Sequence, residues 1–274
     1  MGTTQRIGSG VRNEPNWGNL TSIVTSVART IEDLESVNTD SPSIVPSELV
    51  KQQQRILKLT KRRDNHVKST FERLVKLGGG LKSISTGKSS QIGKAGIKSS
   101  GKLVSFFIDV NREGLNKSLS NIGFNINPSS TVQNIIDYLI SYCGDSSIGM
   151  DETAANEAIC AVLRDIENLA NGDVLSLETL FSDMIDSEKL SEILCTFFGT
   201  YIFEYLSERF EERITQIRGE TISKETFREI KNYILGKVKR INDSKPINKI
   251  DWSGNAGRIE IEKIFEAVIK IEQL

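Results

Sequence analysis

Apolar residues recur along most of this chain at helical spacing. Leu20, Ile23, Val24, Val27, Ile31 and Leu34 follow the i, i+3, i+4, i+7 pattern that gives a helix one apolar face. A break through Asp40, Ser41, Pro42 and Pro46 follows, and Ser47 is placed to cap a long helix running to Leu77. Gly78-Gly79-Gly80 stops that helix. Its polar faces hold Lys51, Arg55, Lys58, Lys61, Arg62, Arg63 and Lys68. Upstream, residues 1–18 are rich in Gly, Asn, Thr and Ser, lack periodicity and read as a flexible tail.

Residues 78–102 depart from this rhythm. Gly, Ser and Lys dominate, with Leu81, Ile84, Ile92 and Ile97 standing singly between them. The stretch is either a flexible basic linker or a Gly-interrupted helix resting on an apolar partner. Helix resumes with Leu103, Phe106, Phe107 and Val110, then with Leu115, Leu119 and Ile122, and Asn127-Pro128 closes this half.

The second half is more regular. Ser130 or Thr131 opens a helix with Val132, Ile135, Ile136, Leu139 and Ile140 on one face. Asp151 is placed to cap the next, which carries Ala155, Ile159, Val162, Leu163, Ile166 and Leu169 and ends at Asn171-Gly172. A short helix spans Leu177 to Ile185. The densest apolar face runs from Leu190 through Phe197, Phe198, Tyr201 and Tyr205 to Phe210 and Ile214, which predicts a central core helix. Ser223 opens another, with Phe227, Ile230, Ile234, Val238 and Ile241. The last, after Asp251-Trp252-Ser253-Gly254, carries Ile261, Ile264, Phe265, Val268 and Ile269. Strand alternation is missing. The expected class is all-α, a bundle of about eight or nine helices. It divides into a tail (1–18), a basic helical region with the Gly/Ser/Lys insert (19–126) and an acidic helical bundle (127–274).

Composition changes this picture little, but charge distribution does. The net charge of −1 hides an asymmetry. From Lys51 to Lys117 there are 16 Lys or Arg against 4 Asp or Glu, a net of +12. From Asp145 to Glu212 there are 16 Asp or Glu against 3 Lys or Arg, a net of −13. Either these halves face each other or each solvates its own helices, or else the basic region neutralises nucleic-acid phosphates or docks on an acidic partner. Lys61, Arg62, Arg63, Lys88 and Lys94 are the candidate phosphate or partner contacts. Few aromatic residues interleave with these cations, so base stacking is not expected.

The candidate chemistry is sparse. His66, the one histidine, sits among Arg63, Asp64 and Lys68 and reads as a surface residue. Cys143, Cys160 and Cys195 lie in apolar helical patterns, show no C-x-x-C spacing and read as reduced core thiols. One histidine and scattered cysteines predict no metal site and no nucleophile–base pair. Gly87-Lys88-Ser89 resembles the end of a phosphate-binding loop, but that motif needs glycine where Lys82 stands. No run of about 18 apolar residues predicts a membrane span, and the start lacks a signal-peptide core. Myristoylation needs Ser or Thr where Arg6 stands. The expectation is a cytoplasmic protein with no cofactor, no metal and no catalytic centre.

Several segments, in order, resemble one family. A Met1-Gly2-Thr3 start leads into a Gly/Ser/Asn/Pro tail with Trp17. A Gly-rich basic stretch then leads into Leu103-Val-Ser-Phe-Phe-Ile-Asp-Val-Asn-Arg-Glu-Gly-Leu115. Met150-Asp-Glu-Thr-Ala-Ala-Asn-Glu-Ala158 and Asp251-Trp-Ser-Gly-Asn-Ala-Gly-Arg-Ile259 follow. The pattern is similar to QatB, the helical component of the bacterial Qat anti-phage defence system. The resemblance implies antiviral defence beside an ATPase, a QueC-like (QatC-like) enzyme and a TatD-like nuclease of the same operon. It further implies that the chain is a protein substrate: the α-amine of Gly2, exposed by removal of Met1, would be joined through an amide to a 7-deazaguanine-type base. Thr3 and Thr4 would form the tail that enters the partner enzyme. An unhindered α-amine with a pKa near 8 is a competent nucleophile, and glycine has no Cβ to clash in a pocket. The alternative is a nucleic-acid-binding or scaffold module using the basic 51–117 region.

Overall fold

The amphipathic stripes fold as eleven helices among the described residues, and no strand accompanies them there. A computed structural model describes residues 17–39, 46–185, 187–244, 252 and 254–270. In chain order the helices are α1 (Gly18–Thr39), α2 (Pro46–Leu77), α3 (Leu81–Ser85), α4 (Lys94–Glu113), α5 (Leu115–Asn121) and α6 (Val132–Cys143). They continue with α7 (Met150–Ala170), α8 (Val174–Asp183), α9 (Ser187–Arg218), α10 (Glu220–Ser244) and α11 (Gly254–Ile269). The all-α class is as expected. The count exceeds eight or nine in part because the Gly/Ser/Lys stretch contributes α3 and the first turns of α4. Of the two readings open for that stretch, the Gly-interrupted helix on an apolar partner is the one observed.

The chain forms two units, residues 1–80 with 210–230 and residues 81–209 with 231–274, so α9 and α10 each contribute to both. In the smaller unit α1 and α2 run antiparallel. Gln52 donates to the Val37 carbonyl at one end (2.9 Å) and Arg73 to the Asn19 carbonyl at the other. Leu20, Val24, Val27 and Ile31 of α1 and Val67, Phe71 and Leu74 of α2 are buried, with Phe210, Ile214, Phe227 and Ile230. Trp17 meets Phe210 edge-on at 6.2 Å. Two ion pairs join distant segments, Arg63 to Glu229 and Arg218 to Glu32, each at 2.7 Å.

The larger unit is built around α9, which buries Leu190, Leu194, Phe197, Phe198, Tyr201, Ile202, Tyr205 and Leu206. Phe265 of α11 stacks on Phe198 with ring centroids 4.2 Å apart. Phe181 of α8 packs edge-on against Phe106 and tilted against Phe107 of α4. Gly199 permits the close approach of α10, since a Cβ there would lie 2.9 Å from a methyl of Val238. Such aromatic interdigitation holds the helices in one arrangement, because interiors pack at crystal-like density.

Several expected helix starts shift. Thr131 does cap α6: its hydroxyl accepts from Asn134 N (3.2 Å) while the Asn134 carboxamide oxygen accepts from Thr131 N (3.0 Å). Asn171, left-handed at φ 48, ends α7 as expected. By contrast α2 begins at Pro46, one residue before Ser47. Asp173 caps α8 and starts it earlier than Leu177. Ser223 lies inside α10, its hydroxyl donating to the Glu211 carbonyl at 3.1 Å.

His66 is also not the surface residue its neighbours suggested. It is half-buried, and its Nδ1 lies 3.2 Å from both the Ser26 carbonyl and the Thr30 hydroxyl of α1. The Ser26 carbonyl can only accept, so Nδ1 carries the proton. Burial holds the imidazole below its ordinary value near 6.5, despite that hydrogen bond, and the nearby Arg62 and Arg73 act in the same direction. The unfolded chain therefore takes up a proton that the native state resists. The contribution to stability is present above pH 6.5 and is lost as pH falls below it. Urea midpoints measured at about pH 7.5 and about pH 5.5 are expected to fall more for the wild type than for His66→Gln. Equal falls would remove His66 from the acid sensitivity.

Candidate functional site

A cluster of polar contacts in the larger unit forms where the Gly/Ser/Lys stretch enters α4. Ile84 and Ile92, single apolar residues in the sequence, are both buried and anchor the stretch at its two ends. Between them the chain turns tightly: the Ser83 carbonyl accepts from both Lys88 N and Ser89 N at 2.9 Å. Gly93 then adopts φ 110, and a Cβ on it would stand 2.3 Å from the Ile84 carbonyl oxygen. Only glycine satisfies both conditions. That choice leaves the position just before α4 with no side chain to cap it.

The missing cap comes from Asp151, 56 to 58 residues away. Its carboxylate accepts from Gly93 N (2.9 Å) and Ala95 N (2.8 Å), the amide donors that begin α4. Asp151 was expected to cap its own helix, α7. There it sits in the first turn while Gly149 is the residue before the helix, and its side chain serves α4 instead. Tyr201 of α9 completes the arrangement. Its hydroxyl donates to Asp151 Oδ1 and accepts from Gly93 N at 2.6 Å. Tyr205, one turn on, donates to the Gln91 carbonyl at 3.0 Å. Gly96 lies under the Tyr201 ring, where a Cβ would be 3.0 Å from the nearest ring carbon.

This constellation contains a carboxylate, two phenols and a helix N-terminus, but its groups are committed to one another. Burial, reinforced by the negative Asp151, holds the Tyr201 phenol well above its ordinary range. Burial does the same to Tyr205. Neither offers a phenolate near neutral pH. The arrangement is a clamp that orders the Gly-rich segment.

Other members of the basic stretch are engaged nearby. Lys98 pairs with Asp145 at 2.7 Å, and that hydrogen bond, before those from Ser147, holds the Asp145 carboxyl well below the usual carboxylate range. Lys102 donates to the Tyr142 (2.6 Å) and Gly144 (3.1 Å) carbonyls at the end of α6, where a cation is favoured. A cleft of about 420 Å³ between α4 and α11 is walled by Ile97, Val104, Ile108 and Ile261. Its two cations, Lys98 and Arg258, are ion-paired with Asp145 and Glu262.

Of the residues expected to form a site, Lys61 and Arg62 are exposed on α2, in the smaller unit. Arg63 beside them is half-buried and paired with Asp64 (2.9 Å) and Glu229 (2.7 Å). Lys88 and Lys94 are exposed in the larger unit, in the turn after α3 and at the first residue of α4. Gly2, Thr3 and Thr4 lie outside the described residues. Asp151 and Tyr201 were not singled out as partners. The one sequence signal for them is a helix that starts after glycine and so needs a cap from elsewhere. The three cysteines form no disulfide; Cys143 and Cys195 are buried, Cys160 is half-buried and not the core thiol expected, and burial pushes the Cys143 thiol up to about 12. Among the described residues no group of three or more His, Cys, Asp and Glu can hold a metal ion, and no helix is long and apolar enough to cross a membrane.

Residues 85–271 match the family model described as Qat anti-phage system associated protein QatB. That match spans more than half of the chain and contains the whole Asp151 clamp. No curated protein and no solved structure matches the chain.

Replacing Asp151 by Ala strips Ala95 N and the Tyr201 hydroxyl of their acceptor and leaves Gly93 N with the Tyr201 oxygen alone. It is expected to cost about 2–5 kcal/mol in urea unfolding, given roughly 1–3 kcal/mol for each buried group left unsatisfied. Tyr201→Phe keeps the ring packing and both carboxylate–amide contacts and should cost about 1–2 kcal/mol. A loss below about 0.5 kcal/mol for Asp151→Ala, the level of ordinary surface substitutions, would show that the clamp is dispensable.

Proposed function

This chain belongs to the QatB family and is a component of a Qat anti-phage system; from that membership we propose that it acts as the system's protein substrate and adaptor, modified at its own N-terminus. In this reading the α-amine of Gly2, freed by removal of Met1, is joined to a 7-deazaguanine-type base by a QueC-like partner. The partner first condenses the carboxyl group of the base precursor with ATP, giving an acyl adenylate and pyrophosphate. The Gly2 nitrogen then attacks the acyl carbon. A C–N amide bond forms, the C–O bond to AMP breaks, AMP leaves, and the amine gives up a proton. Thr3 and Thr4 follow Gly2 into the partner's pocket, and the helical body presents the tail. An ATPase and a TatD-like nuclease of the same operon are the further proposed partners.

The family match carries this proposal. Two observations support it. The Met1-Gly2 start places a small residue with an unhindered amine where such chemistry needs one. Within the described residues the clamp's carboxylate and phenols are committed to ordering α4, which suits a body whose chemistry is done by another protein.

Intact-mass measurement on the chain co-produced with an active QueC-like partner tests the proposal. The expected result is a mass above that of the Met-free chain by one acylated base, mapped by fragmentation to Gly2 and abolished by Gly2→Pro. An unchanged mass beside an active partner overturns it, as does a shift that survives Gly2→Pro.

A further inference from the structure

The long helix α2 buries one face and leaves the other with an unusual charge. Between Leu49 and Arg63 it carries six cations and no acid. Four of these, Lys51, Arg55, Lys58 and Arg62, follow i, i+4, i+7, i+11 and therefore stand on one face, and Lys61 flanks them. All five are exposed. The sixth, Arg63, is turned away into its pairs with Asp64 and Glu229 and does not belong to the row. Helical rise puts Lys51 and Arg62 about 16 Å apart. Val50 and Leu57, 53% and 71% exposed, border the row.

We propose that this outer face of α2 binds the phosphate backbone of nucleic acid. One strand of a duplex carries a phosphate per about 3.4 Å of axis, so about five phosphates span the length of the row. The charge is of one sign along it, which matches a polyanion. A protein partner fits less well, because lysine is depleted at the centres of protein interfaces and no aromatic anchor accompanies these cations. A membrane surface fits less well too: an interfacial helix needs a broad apolar face to insert, and beside the row the exposed large apolar residues are Leu49, Val50 and Leu57, too few to make one, while Val67, Phe71 and Leu74 farther along α2 are buried. The face is narrower than the whole basic region. Lys98 and Lys102 are engaged at the end of α6, and α2 lies outside the residues matched by the family model. Binding here is independent of any modification at Gly2.

Fluorescence anisotropy with labelled duplex and single-stranded oligonucleotides of about 20 nucleotides, titrated with the full chain, tests the proposal. With about four phosphates neutralised, affinity is expected to fall roughly a hundredfold between about 50 mM and about 200 mM salt. The variant Lys51→Gln/Arg55→Gln/Lys58→Gln/Arg62→Gln should lose most of the binding and most of the salt dependence at unchanged helical circular dichroism. The pair Lys58→Gln/Arg62→Gln gives an intermediate readout should the quadruple variant fold poorly. Lys224→Gln/Arg228→Gln, which removes cations already paired with Glu220 and Glu225, should change nothing. No binding at about 50 mM salt overturns the proposal, as does the same salt slope in the quadruple variant. Retention on polyglutamate but not on nucleic acid, lost in the quadruple variant, overturns it in favour of an acidic protein partner.

Discussion

Asp151 makes the hydrogen bonds on which the architecture of the larger unit depends. A glycine at position 93 is needed so that the chain can turn past the Ile84 carbonyl, and that glycine leaves α4 without a cap of its own. A carboxylate from α7 and a phenol from α9 supply what the local sequence lacks. Three helices are thereby joined at one point: α4 by its amides, α7 by Asp151 and α9 by Tyr201. Gly96 then lets α4 lie directly against the Tyr201 ring, and the aromatic layer of Phe197, Phe198 and Phe265 continues from there.

The parts of the fold that were legible in sequence are those fixed by neighbours along the chain. The periodicity of α1, α7, α9 and α11 reports each buried face because the period of a helix is local, and Thr131 and Asn171 mark helix ends through contacts within a few residues. The Gly/Ser/Lys stretch left two readings open for a physical reason. Glycine and serine have poor helix propensity, and the residues that override it, Asp151 and Tyr201, are more than 50 positions away. The same limit explains His66, whose polar neighbours in sequence hide the contact with Ser26 and Thr30, and Arg63, whose partner Glu229 is still more remote. The cations of α2 could be named from sequence, but not that Arg63 turns into ion pairs while Lys51, Arg55, Lys58, Lys61 and Arg62 stay exposed.

For function, the use made of polar groups matters more than their number. The basic stretch contributes Lys98 and Lys102 to the end of α6 and to Asp145, and the acid–phenol cluster is closed around a helix N-terminus. What the family match adds is a setting, a Qat anti-phage system, in which a helical protein works beside other components. The proposed chemistry takes place at a terminal amine brought to another protein and draws on no group of the clamp.

Residues 86–95 are a built part of the larger unit, held by Asp151, and not a linker. Native-state amide hydrogen exchange at Gly93 and Ala95 measures this most directly, since both N–H groups donate to that carboxylate. Protection at both amides close to that of the core of α9, lost in Asp151→Ala first at Ala95, whose acceptor is the carboxylate, is the predicted result. Exchange at the rate of an unstructured chain at these two amides in the wild-type protein would contradict it.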